Sequence, residues 1–243
     1  MRPVVIIPVY NEEETLAQVL TEVRRHTAAP IVVVNDGSTD GSARILRRSL
    51  PGIEVITHAQ NEGYGQSLID GFAYAIREGF DVAVTIDCDL QHEPRLIPRF
   101  LEVAPSFDIV SGSRYHPDAP GAQDPAPPDR QRINAEVTRI INDLTGYRLT
   151  DAWCGFKAYR VPALAKMHIS ETGWGMPLQV WVQAARLGLR VKEVGVPRVY
   201  LDPNRAFGGM LNDSEERLAY YRRVIAEAEQ SFFPCSWAFA CCD

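Results

Sequence analysis

Two carboxylates and an amide follow an apolar run at alternate positions, as Asp87, Asp89 and Gln91. Hard oxygen donors of this kind suit a divalent cation such as Mg²⁺ or Mn²⁺, which usually shares its coordination with substrate phosphates. The alternative is structural, because Asp often ends a strand and begins a turn. The pattern alone favours a metal site only slightly, so the elements around it must decide.

Those elements alternate between strand and helix. Apolar, β-branched runs predict five strands, near residues 4–8, 31–34, 54–57, 82–86 and 108–113. Helical patterns lie between them, which predicts an α/β fold with a mostly parallel central sheet flanked by helices. Asn11 is a candidate N-cap for the first helix, with Glu14 as its capping-box partner. Open sheets of this type bind ligands at the carboxyl ends of their strands.

Polar residues follow the other strands as well. We expect Tyr10 to lie against a base, and Asn11 and Glu12 to bind polar atoms of that base. Asp36 stands at the tip of the second strand, where a ligand contact and an Asx turn are equally supported. Gly63 and Gly65 open a helix and allow a ligand to approach the backbone closely. A dinucleotide fingerprint and a Walker A loop are both absent.

The second half of the chain is less regular. Residues 116–129 contain five prolines, which predicts a long surface loop that is either a lid or a plain flexible insertion. A helical pattern then runs from about 130 and stops at Gly146, and another covers 178–187. Residues 190–199 alternate in the manner of a strand.

Composition restricts the class of protein. The chain has 243 residues, 46% of them hydrophobic, and a net charge of −6, which is typical of a globular protein and unfavourable for binding nucleic acid. Apolar runs stay below the roughly 18–20 residues that span a bilayer. Five scattered cysteines favour a reducing compartment. We expect a cytoplasmic protein without a signal peptide or transmembrane segment, with peripheral contact at the inner face of the membrane as an alternative.

Taken together, the motifs resemble the GT-A fold of glycosyltransferase family 2. Within it they are most similar to the polyprenyl-phosphate sugar transferases, the dolichyl-phosphate mannosyltransferases among them. The motifs are Pro8-Val9-Tyr10-Asn11-Glu12, Asn35-Asp36-Gly37-Ser38, Asn61-Glu62-Gly63-Tyr64-Gly65, Asp87-Cys88-Asp89-Leu90-Gln91-His92, Gly112-Ser113-Arg114-Tyr115, Arg130-Gln131-Arg132-Ile133-Asn134 and Asp151 through Cys154-Gly155-Phe156.

The resemblance implies a role for each matching residue. The residues implied to hold a nucleotide-diphosphate sugar are Pro8, Tyr10, Glu12, Asp36, Gly63, Asp87 and Asp89. Those implied to hold Mg²⁺ or Mn²⁺ on its diphosphate are Asp87, Asp89 and Gln91. Those implied to hold an acceptor phosphate are Arg114, Arg130, Asn134 (where the family has Ser) and Arg205 in a later basic loop.

The implied reaction transfers a hexose from a donor of the GDP-mannose or UDP-glucose type to a polyprenyl phosphate. Attack from the face opposite the leaving group predicts inversion. A phosphate acceptor needs no strong base, whereas a hydroxyl acceptor needs a carboxylate to take its proton. Asp151 is the candidate for that base, and a cap or buried hydrogen-bonding role is its alternative. Asp89 and Asp151 are therefore the two candidate catalytic residues.

On this interpretation residues 1–230 form one catalytic domain. It comprises a nucleotide-sugar-binding half (1–115), the loop (116–129) and an acceptor-binding half (130–230), and a C-terminal tail (231–243) follows. Two other functions stay open at this point: the same donor chemistry with a soluble phosphorylated or glycan acceptor, and a non-catalytic nucleotide-sugar-binding module. A nucleotidyltransferase is disfavoured, because Pro8 to Glu12 is not the glycine-rich basic loop that it requires.

Overall fold

A computed structural model describes residues 1–48, 52–120, 127–199 and 209–231, without the side chains of 209 and 210. The strands are β1 (Pro3–Val9), β2 (Ile31–Asn35), β3 (Ile53–Thr57), β4 (Val82–Thr85), β5 (Ile109–Ser113), β6 (Lys157–Arg160) and β7 (Val191–Gly195). The α-helices are α1 (Leu16–His26), α2 (Ser42–Leu46), α3 (Tyr64–Arg77), α4 (Ile97–Val103), α5 (Pro128–Thr145), α6 (Val161–Leu164), α7 (Met176–Arg186) and α8 (Ser214–Ser231).

The seven strands form one sheet in the order β3-β2-β1-β4-β6-β5-β7. β1 pairs in parallel with β2 and β4, β2 with β3, and β5 with β7. β2, β4 and β5 are buried along their whole length, as expected of strands that are covered on both faces. The mostly parallel α/β sheet predicted from the sequence is confirmed.

β6 was not predicted. It lies between β4 and β5 and runs antiparallel to both. Its four residues, KAYR, show neither alternation nor a continuous apolar run, because Lys157 is a buried position filled by a charged residue. The reversed strand brings the residues that precede it to the edge of the sheet where β4 and β5 end.

Two apolar layers cover the sheet. On one face Leu68 and Phe72 of α3 and Trp181 of α7 belong to the cluster that also includes α5 and α8. On the other face Leu16 of α1 and Phe100 of α4 pack with the second cluster. In the part of the chain that the structure describes, no helix is long and apolar enough to cross a membrane.

The first helix begins later than its capping pattern predicted. α1 starts at Leu16, after Thr15, and Asn11 instead adopts a left-handed conformation with φ of 55°. Its Oδ1 accepts a hydrogen bond from the backbone of Thr39 at 2.8 Å. The capping-box interpretation was therefore wrong, since tertiary contacts to the loop after β2 use the side chain. The predicted stop at Gly146 is confirmed by its left-handed φ of 76°.

Candidate active site

The carboxyl ends of four parallel strands, β1 to β4, meet at one edge of the sheet. Val9 pairs with Asn35, and Asn35 pairs with Thr57, so the loops that follow these strands begin level with one another. Because β6 is antiparallel, the residues just before Lys157 reach this same edge. The edge therefore collects side chains from both halves of the chain.

Asp87 lies just beyond β4, with 28% of its side chain exposed. Its Oδ1 accepts a hydrogen bond from the Tyr64 hydroxyl at 3.1 Å, and its backbone N–H donates to Nδ1 of His92 at 3.1 Å. Burial, together with the nearby charge of Asp87, raises the pKa of Tyr64 well above its usual value. Tyr64 therefore stays protonated and donates to the carboxylate.

The turn after Asp87 is strained and held in place. Leu90 has a φ of 62°, a left-handed conformation that costs an ordinary residue about 1–2 kcal/mol. The N–H of Gln91 donates to Oδ1 of Asp89 at 3.1 Å. From the side of α1, the Thr15 hydroxyl donates to the carbonyl of Cys88 at 2.5 Å. Strain of this kind is frequent at functional sites and needs such support.

Gly155 packs directly against this carboxylate. A Cβ atom built on Gly155 would lie 2.4 Å from Oδ2 of Asp87, so only glycine leaves the carboxylate where it is. The carbonyl of Gly155 accepts a hydrogen bond from the hydroxyl of Thr85, in β4, at 2.6 Å. Gly155, just before β6, is thus held at the end of β4 both by packing on Asp87 and by the hydrogen bond to Thr85.

The residues present fit a divalent metal that a substrate helps to coordinate. Among the described residues, no group of three or more His, Cys, Asp or Glu side chains could hold a metal. Asp87 and Asp89 supply two carboxylates within one turn, and Gln91 adds an amide next to them. Mg²⁺ is commonly bound by one or two carboxylates, waters and substrate phosphates. The metal assignment of these residues stays a prediction.

The loop after β1 presents the residues expected to contact a nucleoside. Tyr10 is 46% exposed, and Pro8 is half-buried opposite Val34 of β2. The N–H of Glu12 donates to the hydroxyl of Ser42 at 3.0 Å, which ties this loop to the start of α2. The nucleoside contacts of Pro8, Tyr10 and Glu12 stay predictions.

Asp36 is only 3% exposed and accepts hydrogen bonds from three groups. Its Oδ1 lies 2.7 Å from both the N–H of Glu62 and Nδ1 of His58, and its Oδ2 lies 2.9 Å from the N–H of Gly63. On its other side His58 contacts Asp70 through Nε2 at 3.0 Å. Through these contacts Asp36 supports the loop that contains Glu62 and Gly63. The predicted contact of Asp36 to a nucleoside stays a prediction.

The charge of His58 follows from these neighbours. Burial of the ring opposes protonation, but the hydrogen bond and charge of Asp36, with the charges of Glu62 and Asp70, outweigh it and raise the pKa of His58. Protonated His58 donates from both ring nitrogens and joins β3 to α3. Sequence reasoning missed His58, since its two carboxylate partners lie in separate elements.

A second charged cluster lies at the end of β5, centred on Asp151, which is fully buried. Arg114 donates to it from Nε at 2.7 Å and from Nη2 at 3.0 Å. Asn134 donates from Nδ2 at 2.9 Å, and the N–H of Trp153 donates at 3.0 Å. Burial alone would raise the pKa of Asp151, but the charge of Arg114 and these hydrogen bonds lower it to about 2.

These contacts bear on two expectations for this cluster, both of which stay predictions. A carboxylate with a pKa near 2, fully paired, is a poor proton acceptor, so the geometry does not support Asp151 as a general base. Asn134 is 7% exposed and accepts from the Thr138 hydroxyl at 3.0 Å while it donates to Asp151. Its amide is therefore engaged within the protein, and its predicted contact to an acceptor stays a prediction.

Comparison with known proteins shows which family the chain belongs to. The model of the family described as Glycosyl transferase family 2 matches residues 4–167. The chain belongs to glycosyltransferase family 2. An undecaprenyl-phosphate mannosyltransferase from Micrococcus luteus is 33% identical over 88% of this chain and 91% of its own. A polyprenol monophosphomannose synthase from Mycolicibacterium smegmatis is 32% identical over 80% and 76%, respectively.

The fold of this glycosyltransferase is GT-A. Glucosyl-3-phosphoglycerate synthase from Mycobacterium tuberculosis, solved with Mn²⁺, UDP and glucosyl-3-phosphoglycerate, has a TM-score of 0.69 to it. The two chains share 20% identity over 92% of this chain and 77% of the other. At that identity the likeness concerns the fold alone.

Of the other two arginines predicted to bind the acceptor of this family 2 enzyme, the structure describes only Arg130. Arg130 lies in the first turn of α5 and is half-buried. Arg205 and the tail from 232 lie outside the described residues, as do residues 121–126 of the predicted loop. The acceptor contacts of Arg114, Arg130 and Arg205 stay predictions.

Trp174 lies beside the candidate site, and the sequence did not indicate this. Its ring stacks on Tyr64, with 5.0 Å between centroids and 12° between planes, while 36% of the residue stays exposed. It therefore stands one side chain away from Asp87. The two aromatic residues are far apart in sequence, and a single Trp before a helix carries no signal of its own.

Proposed function

We propose that the chain is an inverting, metal-dependent glycosyltransferase that moves a hexose from a nucleotide-diphosphate sugar, of the GDP-mannose or UDP-glucose type, to a polyprenyl phosphate. The names of the two bacterial relatives support a polyprenyl-phosphate acceptor. Because such an acceptor is embedded in a bilayer, we also propose that the chain contacts the cytoplasmic face of a membrane.

One observation carries the proposal. Residues 151–155 contact both halves of the candidate site: Gly155 packs on Asp87, and Asp151 orients Arg114 through two hydrogen bonds. One continuous segment therefore contacts both a carboxylate suited to a metal-bound diphosphate and a guanidinium suited to a second phosphate. Such a pair of adjacent sites is what transfer between two phosphate-bearing substrates requires.

On the donor side, Asp87 and Asp89 would hold the metal, which when bound offsets the negative charge that develops on the departing diphosphate. Tyr64, through its hydrogen bond, and Gly155, through packing, both fix the orientation of Asp87. Tyr10 and Glu12 would hold the nucleoside at the neighbouring strand end. The protein contributes by holding these groups in place before the reaction begins.

On the acceptor side, the paired state of Asp151 agrees with an ionised phosphate acceptor. A phosphate oxygen needs no base to remove a proton, so a carboxylate with a pKa of about 2 is sufficient as a positioning group. Arg114 and Arg130 would bind that phosphate, because planar guanidinium groups bind phosphate at two points.

A partition assay tests the proposal. The chain is incubated with Mn²⁺, labelled GDP-mannose or UDP-glucose, and undecaprenyl phosphate in detergent, and the mixture is then extracted with organic solvent. We expect labelled lipid with one donor, and its loss on chelation or in Asp89→Asn. Asp143→Asn is the control, because that carboxylate is 66% exposed in a surface ion pair.

Other outcomes point elsewhere. Label transferred only to a soluble phosphorylated or glycan acceptor would replace the lipid acceptor with the soluble one. Binding of nucleotide sugar without transfer to any acceptor would favour a binding module. Full activity of Asp89→Asn would remove Asp89 from the metal site.

A further inference from the structure

Trp174 combines exposure with a fixed position. Its indole stacks on Tyr64, and the Tyr64 hydroxyl donates to Asp87 at 3.1 Å. With 36% of the residue exposed, part of a large aromatic surface remains in contact with water beside the candidate metal carboxylate. Single apolar residues on protein surfaces are common, but this one is linked to the candidate site through Tyr64.

The loop that carries Trp174 is held firmly. The carbonyl of Thr172 accepts from the N–H of Gln66, in α3, at 3.0 Å. Glu171 accepts from the N–H of Gly173 at 2.8 Å and from the Tyr220 hydroxyl at 2.6 Å. The exposure of the indole is therefore a fixed feature of this loop.

Two glycines permit the contact between this loop and α3. A Cβ at Gly63 would lie 2.4 Å from the carbonyl oxygen of Thr172, and one at Gly65 would lie 2.4 Å from that of Glu171. Gly63 also has a φ of 111°, which disfavours other residues. The motif that opens α3 thus lets the loop of Trp174 pack against the start of α3, where Tyr64 lies.

We propose that the exposed indole of Trp174 is the platform on which the sugar ring of the donor nucleotide rests. This inference rests on the proposed function and specifies its sugar subsite. A pyranose has a face of C–H bonds, which the electron-rich face of an aromatic ring attracts. Ligand sites combine such aromatic surfaces with a few fixed polar groups. Tyr64 and Asp87 supply them here.

The surroundings favour a sugar over the other candidate occupants. The nucleoside is assigned to the loops after β1 and β2, where Tyr10 is exposed. A polyprenyl chain would prefer an apolar surface, whereas Trp174 is linked through Tyr64 to the Asp87 carboxylate and has the Glu171 carboxylate in its own loop. The hexose, which is attached to the diphosphate, is the part of the donor that belongs next to Asp87.

Calorimetry on the full chain with Mn²⁺ tests the proposal, with four probes: GDP, GDP-mannose, UDP and UDP-glucose. In Trp174→Leu we expect the Kd of the preferred nucleotide sugar to rise about 10-fold, equivalent to about 1.4 kcal/mol. The Kd of the matching nucleoside diphosphate should change less than about 2-fold, because only the sugar contact is lost. Trp174→Phe, which keeps an aromatic face, should stay within about 3-fold of the wild type for both.

A second measurement needs no variant. Saturation-transfer NMR on the wild-type chain, with irradiation of aromatic protons, should show transfer to the sugar-ring protons of the bound nucleotide sugar. Absence of that transfer would overturn the platform even if Trp174→Leu did not fold.

Three further results would contradict the inference. Equal weakening of the nucleoside diphosphate and the nucleotide sugar would mean that Trp174 acts only by supporting Tyr64 and Asp87. A higher KM for undecaprenyl phosphate with unchanged donor affinity would assign the indole to the lipid. Failure of the wild-type chain to bind any of the four probes would overturn the proposed function itself, whereas the first two results would leave it standing.

Discussion

Arg114 and Asp151 are joined at two points, with Nε 2.7 Å from one carboxylate oxygen and Nη2 3.0 Å from the other. The carboxylate is fully buried, and 18% of the arginine side chain remains exposed. One side of the guanidinium is thus fixed by the protein, and the exposed remainder is held in a defined direction. This arrangement suits a group that must present positive charge to a ligand at low entropic cost.

Breaking this pair should lower stability and acceptor affinity together. Asp151→Asn leaves Arg114 beside a neutral group, so we expect the free energy of unfolding in urea to fall by about 3–5 kcal/mol. The KM for undecaprenyl phosphate should rise about 10-fold, since the arginine loses its orientation. Asp143→Asn, in an exposed pair with Arg139, should change stability by less than about 1 kcal/mol. A variant with wild-type stability and KM would contradict this role.

Gly155→Ala should disturb the metal carboxylate. The added methyl group would lie 2.4 Å from Oδ2 of Asp87, so we expect overpacking to lower the free energy of unfolding by about 1–3 kcal/mol. We also expect weaker Mn²⁺ binding in the presence of nucleoside diphosphate. Electron paramagnetic resonance of free Mn²⁺ measures that affinity. Gly79→Ala is the matched control, because its Cβ meets open space although its φ is +68°. We expect it to lower the free energy of unfolding by about 1–2 kcal/mol without changing the affinity for Mn²⁺. Equal Mn²⁺ affinity in both variants would argue against the contact.

Two arginines two positions apart in α5 should behave differently. Arg130 is half-buried, whereas Arg132 is exposed and paired with Glu215 at 2.7 Å. We expect Arg130→Ala to raise the KM for undecaprenyl phosphate about 10-fold, because a phosphate contact is lost. Arg132→Ala should leave it within about 2-fold, since exposed pairs contribute little. Steady-state kinetics in detergent separates the two, and equal effects would point to general electrostatics.

The free energy of unfolding should depend on pH through His58, which contacts Asp36 and Asp70. The pKa of His58 is raised in the folded chain by Asp36, Glu62 and Asp70 against the effect of burial. Its stabilising contribution is therefore fully present below the ordinary His pKa of about 6.5 and is lost as pH rises through the higher folded-state pKa.

The comparison with His58→Gln isolates this effect. Urea unfolding at pH 6, 7.5 and 9 should show the wild type losing its advantage over the variant as pH rises. A difference between the two that stays constant across this range would exclude titration of His58 as its cause.

Much of the fold could be predicted because its strands are apolar, β-branched runs buried on both faces. β6 escaped prediction because its buried lysine breaks that pattern. Burial lowers the pKa of Lys157, and its ammonium group donates to the carbonyl of Cys154, while its Nζ lies 5.4 Å from the centre of the Trp181 ring. These compensating contacts are tertiary, and no local pattern predicts them.

Candidate residues for the site could be named from the sequence, but the pairs that they form could not. Arg114 and Asp151 were both candidates from their motifs, yet they are 37 positions apart, and only the fold makes them partners. Asp36 and His58, which are 22 positions apart, are likewise paired only by the fold, and His58 was not a candidate from the sequence. Residue type indicates which chemistry is available, whereas the partner decides whether a carboxylate acts as a base or as a positioning group.

The reversed strand also constrains how this chain can change in length. Lys157 pairs with Thr85 on one side and with Ser111 on the other. Deleting or inserting one residue within 151–156 would shift that register by one and turn the lysine to the opposite face of the sheet. The same shift would move Gly155 away from Asp87. Outside Asp151 and Gly155, we therefore expect this segment to tolerate substitutions better than insertions or deletions, because its length sets the spacing between the proposed donor and acceptor sites.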